Sequence, residues 1–183
     1  MADPRGGFSA ARRLIDLAEA VRADPELPRT ALAELLAGHG ERPADLTGEA
    51  FPEAGAAELR AAARRMAEVL RESDEDRAAG ALNALLEECA TRPRLTRHDG
   101  YPWHLHVDRG GEAGWGDWFL ASGALALAQL LTEYGRIAWG SCAAEGCGRF
   151  FLATGPGSVR RYCSTTCAGR SRVAAHRRRK REA

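Results

Sequence analysis

Apolar residues recur at helical spacing through most of the first 134 residues of the chain. Because a helix brings residues three and four apart onto one face, this spacing predicts amphipathic helices that bury one side. The first predicted helix begins at Ser9, a residue that can cap its N-terminus. The other predicted helices span 30–37, span 56–72, begin at Asp74 and span 118–134. The last has few polar residues and is predicted to be largely buried. Residues 41–55 hold two prolines and two glycines and predict a loop.

The spacing changes to a period of two after Pro93. Apolar and polar side chains then alternate, in the order Trp103, His104, Leu105, His106, Val107 and Asp108. Alternation next to the turn-like His98–Asp99–Gly100 predicts a β-hairpin near 94–109. The pattern as a whole predicts an α+β, mostly α fold, in which an α-rich domain over 8–139 contains this hairpin.

Four cysteines follow the spacing Cys-x4-Cys-x15-Cys-x3-Cys, at Cys142, Cys147, Cys163 and Cys167. Zinc prefers four ligands in a tetrahedron, and thiolate is its strongest structural ligand. Gly146 and Gly148 flank Cys147 and would let the backbone turn sharply there. The sequence therefore predicts one structural Zn²⁺ held by the four thiolates.

The second cysteine pair stands next to a predicted helix. Ser164 is placed to cap the N-terminus of this helix, so Cys163 and Cys167 lie around the positive end of its dipole. A knuckle followed by a pair on a helix is the layout of a treble-clef finger. The segment 140–183 has few large apolar residues, and a segment this small seldom folds without a metal or a partner.

Other assignments of these residues stay open. The cysteines could be unrelated buried or redox thiols, they could hold an iron–sulfur cluster, or His176 could be a ligand. A catalytic zinc is disfavoured because four thiolates leave no open coordination position. Cys89 lies on an apolar helical face and is predicted to be a core residue.

The net charge of +1 hides a strong asymmetry along the chain. Residues 142–183 hold ten arginines and lysines against two acids, whereas the rest holds 16 against 23. A zinc-stapled helix of this charge is typical of a nucleic-acid-binding element whose guanidinium groups bond phosphate. The predicted contacts are Arg160, Arg161, Arg170, Arg172, Arg177, Arg178, Arg179, Lys180 and Arg181. The alternatives are a tail that docks on its own acidic domain and a tail without a specific partner.

The last 42 residues resemble the CGNR-type zinc finger. The resemblance rests on the four cysteines together with Phe150-Phe151, Arg160-Arg161-Tyr162-Cys163-Ser164 and Cys167-Ala168-Gly169-Arg170. Ala168 and Gly169 stand at the two middle positions of the Cys-Gly-Asn-Arg signature. Any role that the family assigns to the Asn therefore does not carry over to this chain. In that family the finger commonly follows an ABATE domain, which residues 8–139 resemble in length, helical content and hairpin. The resemblance implies a stress-induced transcription regulator of bacteria that binds DNA.

The N-terminal domain carries an aromatic and histidine cluster that could line an effector pocket. Its members are His98, Tyr101, Trp103, His104, His106, Trp115 and Trp118. The preferred interpretation makes the tryptophans core residues and places the histidines on a solvent-facing strand surface. A metal site at His104 and His106 is a further alternative. No nucleophile motif, phosphate-binding glycine loop or convincing carboxylate pair is present, so no enzymatic activity is expected.

Three functions follow from these patterns. The preferred one is a DNA-binding regulator whose N-terminal domain senses a ligand or mediates association, for example as a homodimer. The alternatives are an RNA- or ribosome-associated zinc module and an enzyme with a pocket in the N-terminal domain. Double-stranded DNA is preferred because the basic module lacks an exposed aromatic platform. Without a secretory signal or a membrane-spanning stretch, a cytoplasmic location without membrane contact is expected.

Overall fold

A computed structural model describes residues 6–97, 103–107, 114–155 and 160–182. The helices are α1 (Gly6–Ala23), α2 (Arg29–Gly38), a 3-10 helix (Pro43–Leu46), α3 (Glu53–Arg71), α4 (Glu75–Cys89), α5 (Trp115–Tyr134) and α6 (Thr165–Glu182). The strands are β1 (Arg94–Thr96), β2 (His104–His106), β3 (Trp139–Ser141) and β4 (Phe150–Leu152). The predicted α+β, mostly α fold is confirmed. Across the described ranges, no helix is both long enough and apolar enough to cross a bilayer.

Helix α5 forms the centre of the helical core and packs against α1, α3 and α4. Its buried residues occur on most of its sides, as expected of a helix that other helices surround. Gly123 lies in its middle, where a Cβ atom would stand 2.5 Å from Leu14 Cδ1 and 3.2 Å from Met66 Cε. This glycine therefore allows α1 and α3 to approach α5 closely.

The predicted helix ends agree with the structure in part. The helix predicted to begin at Asp74 begins one residue later, at Glu75, and Asp74 is its N-cap, because its carboxylate accepts the N–H of Arg77 at 3.0 Å. The prediction that Ser9 caps the first helix is wrong, since the two glycines before Ser9 are already helical and α1 begins at Gly6. The predicted loop over 41–55 contains the 3-10 helix and the first turn of α3.

Strands β1 and β2 pair in an antiparallel hairpin that places Leu95 directly opposite Leu105. The hairpin forms where it was predicted, although the turn at 98–100 and Asp108 lie outside the described residues. Its apolar residues are not all turned inward: Trp103 is 61% exposed and Leu105 45% exposed, whereas Val107 is buried. Leu95 and Leu105, which pair directly across the two strands, both lie on the exposed face of the sheet.

Strands β3 and β4 form a second antiparallel hairpin, which the sequence analysis did not predict. Because neighbouring residues of a strand point to opposite faces, β4 divides its side chains between two cores. Phe150 joins the helical core, and Phe151 joins a smaller core around the cysteines. Trp139 is buried in the helical core, so the boundary expected between 139 and 140 falls inside β3.

Candidate metal centre and nucleic-acid interface

The four cysteine thiols of the C-terminal segment meet at one point. The Sγ atoms of Cys142, Cys147, Cys163 and Cys167 all lie within 4.8 Å of one another. The Sγ atoms of Cys147, Cys163 and Cys167 are 3.6, 3.7 and 3.8 Å apart. A tetrahedron with Zn–S bonds of about 2.3 Å has its sulfurs about 3.8 Å apart, whereas a disulfide brings two sulfurs to about 2.05 Å. The arrangement therefore fits tetrahedral coordination by four thiolates.

The first cysteine pair is carried by the loop between β3 and β4. The N–H of Cys142 donates to the carbonyl of Arg149 at 2.8 Å, which closes the loop at its base. Gly146 and Gly148, on either side of Cys147, have φ angles of 70° and 62°. This left-handed conformation is accessible to glycine without steric cost, so the predicted sharp turn at Cys147 is confirmed.

The second cysteine pair brackets the start of α6. Ser164 lies directly before the helix, and its hydroxyl accepts the N–H of Cys167 at 3.2 Å, as the predicted N-cap requires. Cys163 precedes the helix and Cys167 lies in its first turn. Both thiols therefore stand near the positive end of the helix dipole, which favours thiolate.

The thiols differ in how readily they lose a proton. Burial raises the pKa of the Cys142 thiol, but hydrogen bonds from the backbone of Cys163 and Ala144 outweigh burial and lower it to about 7. Burial and the neighbouring thiols of Cys167 and Cys142 raise the pKa of Cys163 to about 12. Thiolates this close repel one another, so four of them require a cation between them. A divalent metal ion supplies that charge.

The arginines near the C-terminal end of α6 share one side of the helix. Arg177, Arg178 and Arg181 line a shallow cavity of about 400 Å³ together with Ala174 and Glu145. Helical spacing predicts that Arg170 shares this side with Arg177, Arg178 and Arg181, since residues three and four apart neighbour each other on a helix surface. Arg170 is not among the residues that line the cavity. Only Cys167 is buried among the residues of α6. The exposed side chains of the finger also include Arg161, Arg172, Arg179 and Lys180.

Arg160 and Arg170 make contacts within the finger. The guanidinium of Arg160 donates to the carbonyls of Tyr162, at 2.7 Å, and Cys163, and stands 5.2 Å from the ring centre of Phe151. The guanidinium of Arg170 donates to the carbonyl of Glu145 at 3.2 Å and lies 4.0 Å from Cys167 Sγ. These two arginines therefore help to fix the fold around the thiols, a role that the charge pattern did not reveal.

Comparisons with known protein families agree with this geometry. The model of the CGNR zinc finger matches residues 139–180. The model of ABATE, described as "Putative stress-induced transcription regulator", matches residues 11–134. The chain belongs to the ABATE family. Together with the thiol geometry, the CGNR match identifies Zn²⁺ as the cofactor and the chain as a zinc-binding regulator.

The two matches confirm the resemblance drawn from the sequence, with the CGNR finger following the ABATE domain. Neither family is described as a family of enzymes. No curated protein matches the chain.

The CGNR finger is attached to the ABATE helices by contacts that no sequence signal marked. Glu19 on α1 accepts the N–H of Phe150 at 3.0 Å, pairs with Arg22 at 2.6 Å and stands 3.4 Å from Arg149. Burial acts to raise the pKa of Glu19, but the bonds from Arg22 and Phe150 outweigh it and lower that pKa. Its carboxylate is therefore held in the charged form that accepts these bonds.

Two further contacts join the finger to α3. The indole N–H of Trp139 donates to the carbonyl of Val69 at 3.3 Å in a buried position. The guanidinium of Arg71 lies over the ring of Phe150, 5.3 Å from its centre. The β3–β4 hairpin thus makes direct contacts with two ABATE helices, in addition to its connection through the chain.

The aromatic and histidine cluster of the ABATE domain is divided, in the described residues, between the helical core and the β1–β2 hairpin. Trp115 and Trp118 contact each other edge to face at 5.4 Å and pack against the helical core, as the core interpretation predicted. That interpretation is wrong for Trp103, which is largely exposed on the hairpin. His98 and Tyr101 lie outside the described residues.

The histidines considered as metal ligands, and the fifth cysteine, lie apart from the thiol group. The Nε2 atoms of His104 and His106 lie 3.0 Å apart on β2, and both side chains are half-buried. In the described part of the chain, these two histidines belong to no group of three or more metal-ligating side chains. His176 is exposed on α6 and stands apart from the thiol group. Cys89 is buried in the helical core, as predicted.

Proposed function

We propose that the chain is a cytoplasmic transcription regulator of a bacterium that binds double-stranded DNA through its CGNR finger. In this proposal the ABATE domain senses a ligand or mediates association. The proposed units are 8–139 and 140–183, and the proposed zinc ligands are Cys142, Cys147, Cys163 and Cys167. The observation that carries the proposal is the thiol group at the N-terminus of α6, a helix whose exposed side chains are mostly cationic.

Zinc, when bound, supplies a structural cross-link and no reactive position, because four thiolates complete its coordination. Cys163 and Cys167 would then fix the first turn of α6 to the β3–β4 loop. Ser164 already caps this turn. The helix is therefore presented in one direction relative to the finger, and its arginines form one cationic surface.

The proposed nucleic-acid contacts are Arg160, Arg161, Arg170, Arg172, Arg177, Arg178, Arg179, Lys180 and Arg181. Arg160 and Arg170 stay in this set because a guanidinium has five N–H donors and their bonds within the finger use only some of them. The side shared by Arg177, Arg178 and Arg181 is the most concentrated part. Planar guanidinium groups suit bidentate bonds to phosphate, so these contacts position the protein without reading the base sequence.

Two observations favour duplex DNA over the alternatives. Single-stranded RNA is commonly bound by stacking bases on exposed aromatic rings. In the described part of the finger, Phe150 and Phe151 are buried and Tyr162 is half-buried, so none of these rings offers such a platform. The described residues also show no ion pair between α6 and an acidic side chain of the ABATE domain, which disfavours a self-docked tail.

The DNA-binding part is tested with the zinc-loaded full chain and a fluorescent duplex of random sequence, in an anisotropy titration at several salt concentrations. The double variant Arg177→Ala with Arg178→Ala should lower the salt slope by about 1.8, since each phosphate contact contributes about 0.9. At about 0.1 M salt this corresponds to roughly 60-fold weaker binding. Cys163→Ser should abolish binding together with the finger's zinc.

The matched control is Arg42→Ala with Arg65→Ala, which removes two exposed arginines from the ABATE domain and keeps the net charge equal to that of the test variant. It should bind DNA as the parent chain does. Unchanged DNA binding in both Arg177→Ala with Arg178→Ala and Cys163→Ser would sink the proposal. Preferential competition by structured RNA over duplex DNA would favour the RNA-associated alternative.

The association part of the proposal is supported by the β1–β2 hairpin. Leu95 is 64% exposed and lies directly opposite Leu105, which is 45% exposed, and Trp103, two residues before Leu105, is 61% exposed. Exposed apolar patches on small domains mark interaction sites, and a two-stranded sheet is marginally stable alone. We propose that a second copy of the chain covers this face. Leu95→Glu should shift the sedimentation mass to the monomer, whereas Ala84→Glu on the exposed side of α4 should not.

A further inference from the structure

The two histidines of β2 bring their ring nitrogens together. His104 and His106 are two residues apart on an extended strand, so their side chains leave the same face of the hairpin. Their Nε2 atoms are 3.0 Å apart, and their ring centres are 4.9 Å apart. Both side chains are half-buried, so water reaches the pair. The hairpin therefore presents two converging imidazole nitrogens at its surface.

The distance between the two nitrogens suits two ligands that meet a metal ion at a right angle. Bonds of about 2.0–2.1 Å from one ion place two nitrogens about 2.9 Å apart at 90°, but about 3.3–3.4 Å apart at the tetrahedral angle. Square-planar and octahedral ions such as Cu²⁺ and Ni²⁺ require right angles, and imidazole is a suitable ligand for both. A hydrogen bond between the two rings has a similar length, and a metal ion would replace it by taking the position of the shared proton.

We propose that His104 and His106 form a second metal site, which takes a divalent ion of the Ni²⁺ or Cu²⁺ kind. Each neutral imidazole ligates the ion through Nε2 and carries its proton on Nδ1. Within the described ranges no third ligating side chain joins the pair, so water completes the coordination. The site is therefore open, whereas the four thiolates close the zinc centre.

The strand that carries the histidines also carries the proposed association face. Leu105 lies between the two histidines and points to the opposite face, directly across from Leu95. Residues two apart share a side in a strand but not in a helix, so the paired nitrogens depend on the extended backbone of β2. A two-stranded sheet is marginally stable alone, and an ion that binds the formed hairpin stabilises it. Metal binding should therefore strengthen self-association, a step that rests on the association part of the proposed function.

The site is tested by calorimetric titration of Ni²⁺ into the zinc-loaded full chain. Ni²⁺ is chosen because Cu²⁺ oxidises thiols. One Ni²⁺ should bind per chain while the zinc is retained. Loss of an outer-shell partner alone weakens metal binding about 10- to 100-fold, so His104→Ala and His106→Ala should each weaken Ni²⁺ binding about tenfold or more. His176→Ala is the matched control, since it removes an exposed histidine from α6, and it should not change Ni²⁺ binding.

A third imidazole tests the geometry of the site. Thr96 pairs directly with His104 across the hairpin, so the two side chains are neighbours on one face. Thr96→His should therefore strengthen Ni²⁺ binding severalfold. Leu95→His adds a histidine to the opposite face of β1 and should not strengthen it. Equal strengthening by the two substitutions would contradict the placement of the site.

Three further results would overturn the inference. Absence of saturable Ni²⁺ binding would leave only the hydrogen bond between the rings. Ni²⁺ uptake with an equal release of zinc would assign the ion to the thiols. Equal losses in His104→Ala and His176→Ala, or suppression of binding by equimolar Mg²⁺, would show attraction of charge without imidazole ligation. Circular dichroism of each variant separates a lost site from a lost fold.

The coupling is measured by sedimentation of the chain with and without saturating Ni²⁺. Ni²⁺ should lower the dissociation constant of the dimer severalfold, and His104→Ala should remove this effect, because coupling between two sites is reciprocal. Unchanged association in saturating Ni²⁺ would refute the coupling. Ni²⁺ binding by a chain that does not associate would remove the association part of the proposed function and leave the metal site, whereas association without Ni²⁺ binding would do the reverse.

Discussion

Phe150 and Phe151 are neighbours, yet substitution by alanine should damage different properties of the protein. Phe150 is 4% exposed and lies in the helical core, beneath the guanidinium of Arg71. Phe151 is 7% exposed and lies in the small core around the thiols, beneath Arg160. Phe150→Ala should therefore lower the free energy of unfolding of the whole chain, and Phe151→Ala should lower its zinc affinity.

The size of each effect follows from the burial. Replacing a buried phenylalanine by alanine costs about 3–5 kcal/mol, and loss of the contact between Arg71 and the Phe150 ring adds about 0.5–1 kcal/mol. Domains of this kind have total stabilities of about 5–15 kcal/mol, so Phe150→Ala should stay folded with a small margin. Zinc binding is coupled to folding of the finger. A loss of about 3 kcal/mol in Phe151→Ala therefore weakens zinc binding about 100-fold.

The free energy of unfolding is measured by urea titration of the zinc-loaded variants, followed by far-ultraviolet circular dichroism. Zinc affinity is measured by competition with a chromophoric chelator. Phe150→Ala should change zinc affinity less than about tenfold, because the core around the thiols keeps its side chains. Equal losses of zinc affinity in the two variants, with unchanged unfolding of Phe150→Ala, would refute the division of β4 between two cores.

Three further predictions concern single positions. Gly148→Ala should weaken zinc binding about 5–30-fold, since the left-handed conformation costs about 1–2 kcal/mol, whereas Gly80→Ala, in open space on α4, should stabilise the chain. Gly123→Ala should cost about 1–3 kcal/mol in urea titrations, because its Cβ would overlap Leu14. Burial raises the pKa of Glu41 above 4.5, so the folded state favours its protonated carboxyl. Glu41 therefore contributes to the free energy of unfolding in full below pH 4.5, and this contribution is lost as pH rises through the raised pKa. Glu41→Gln should remove this pH dependence from the melting temperature.

The metal centre could be predicted from the sequence because its information is local. Two pairs of cysteines at short spacing, with Gly148 and Ser164 beside them, specify a turn and a helix cap without reference to the rest of the chain. The helices of the ABATE domain could also be predicted from the sequence, since the apolar residues of the buried face repeat at helical spacing. The ends of the helices were harder to predict: Ser9 has the residue type of an N-cap, but the helix also includes the glycines before it.

The features that could not be predicted from the sequence depend on contacts between residues far apart in the chain. The bond between Glu19 and the N–H of Phe150 joins positions 131 residues apart, and nothing near either residue indicates it. The alternation of the β1–β2 hairpin distinguishes two faces but does not show which face a neighbouring element covers, so Trp103 was wrongly expected in the core. Charge alone could not separate Arg160 and Arg170, which bond within the finger, from the other arginines.

The attachment of the finger bears on how the ABATE domain could regulate α6, the proposed nucleic-acid-binding helix. Helix α6 has 18 residues and is therefore about 27 Å long. If the β3–β4 hairpin tilts by about 10° on α1 and α3, the far end of α6 moves by about 5 Å, which exceeds the roughly 3.4 Å step between base pairs along DNA. Arg177, Arg178 and Arg181 lie in the second half of α6, where this displacement is largest. A small rearrangement around Glu19 is therefore sufficient to misplace the proposed phosphate contacts while the metal centre stays intact.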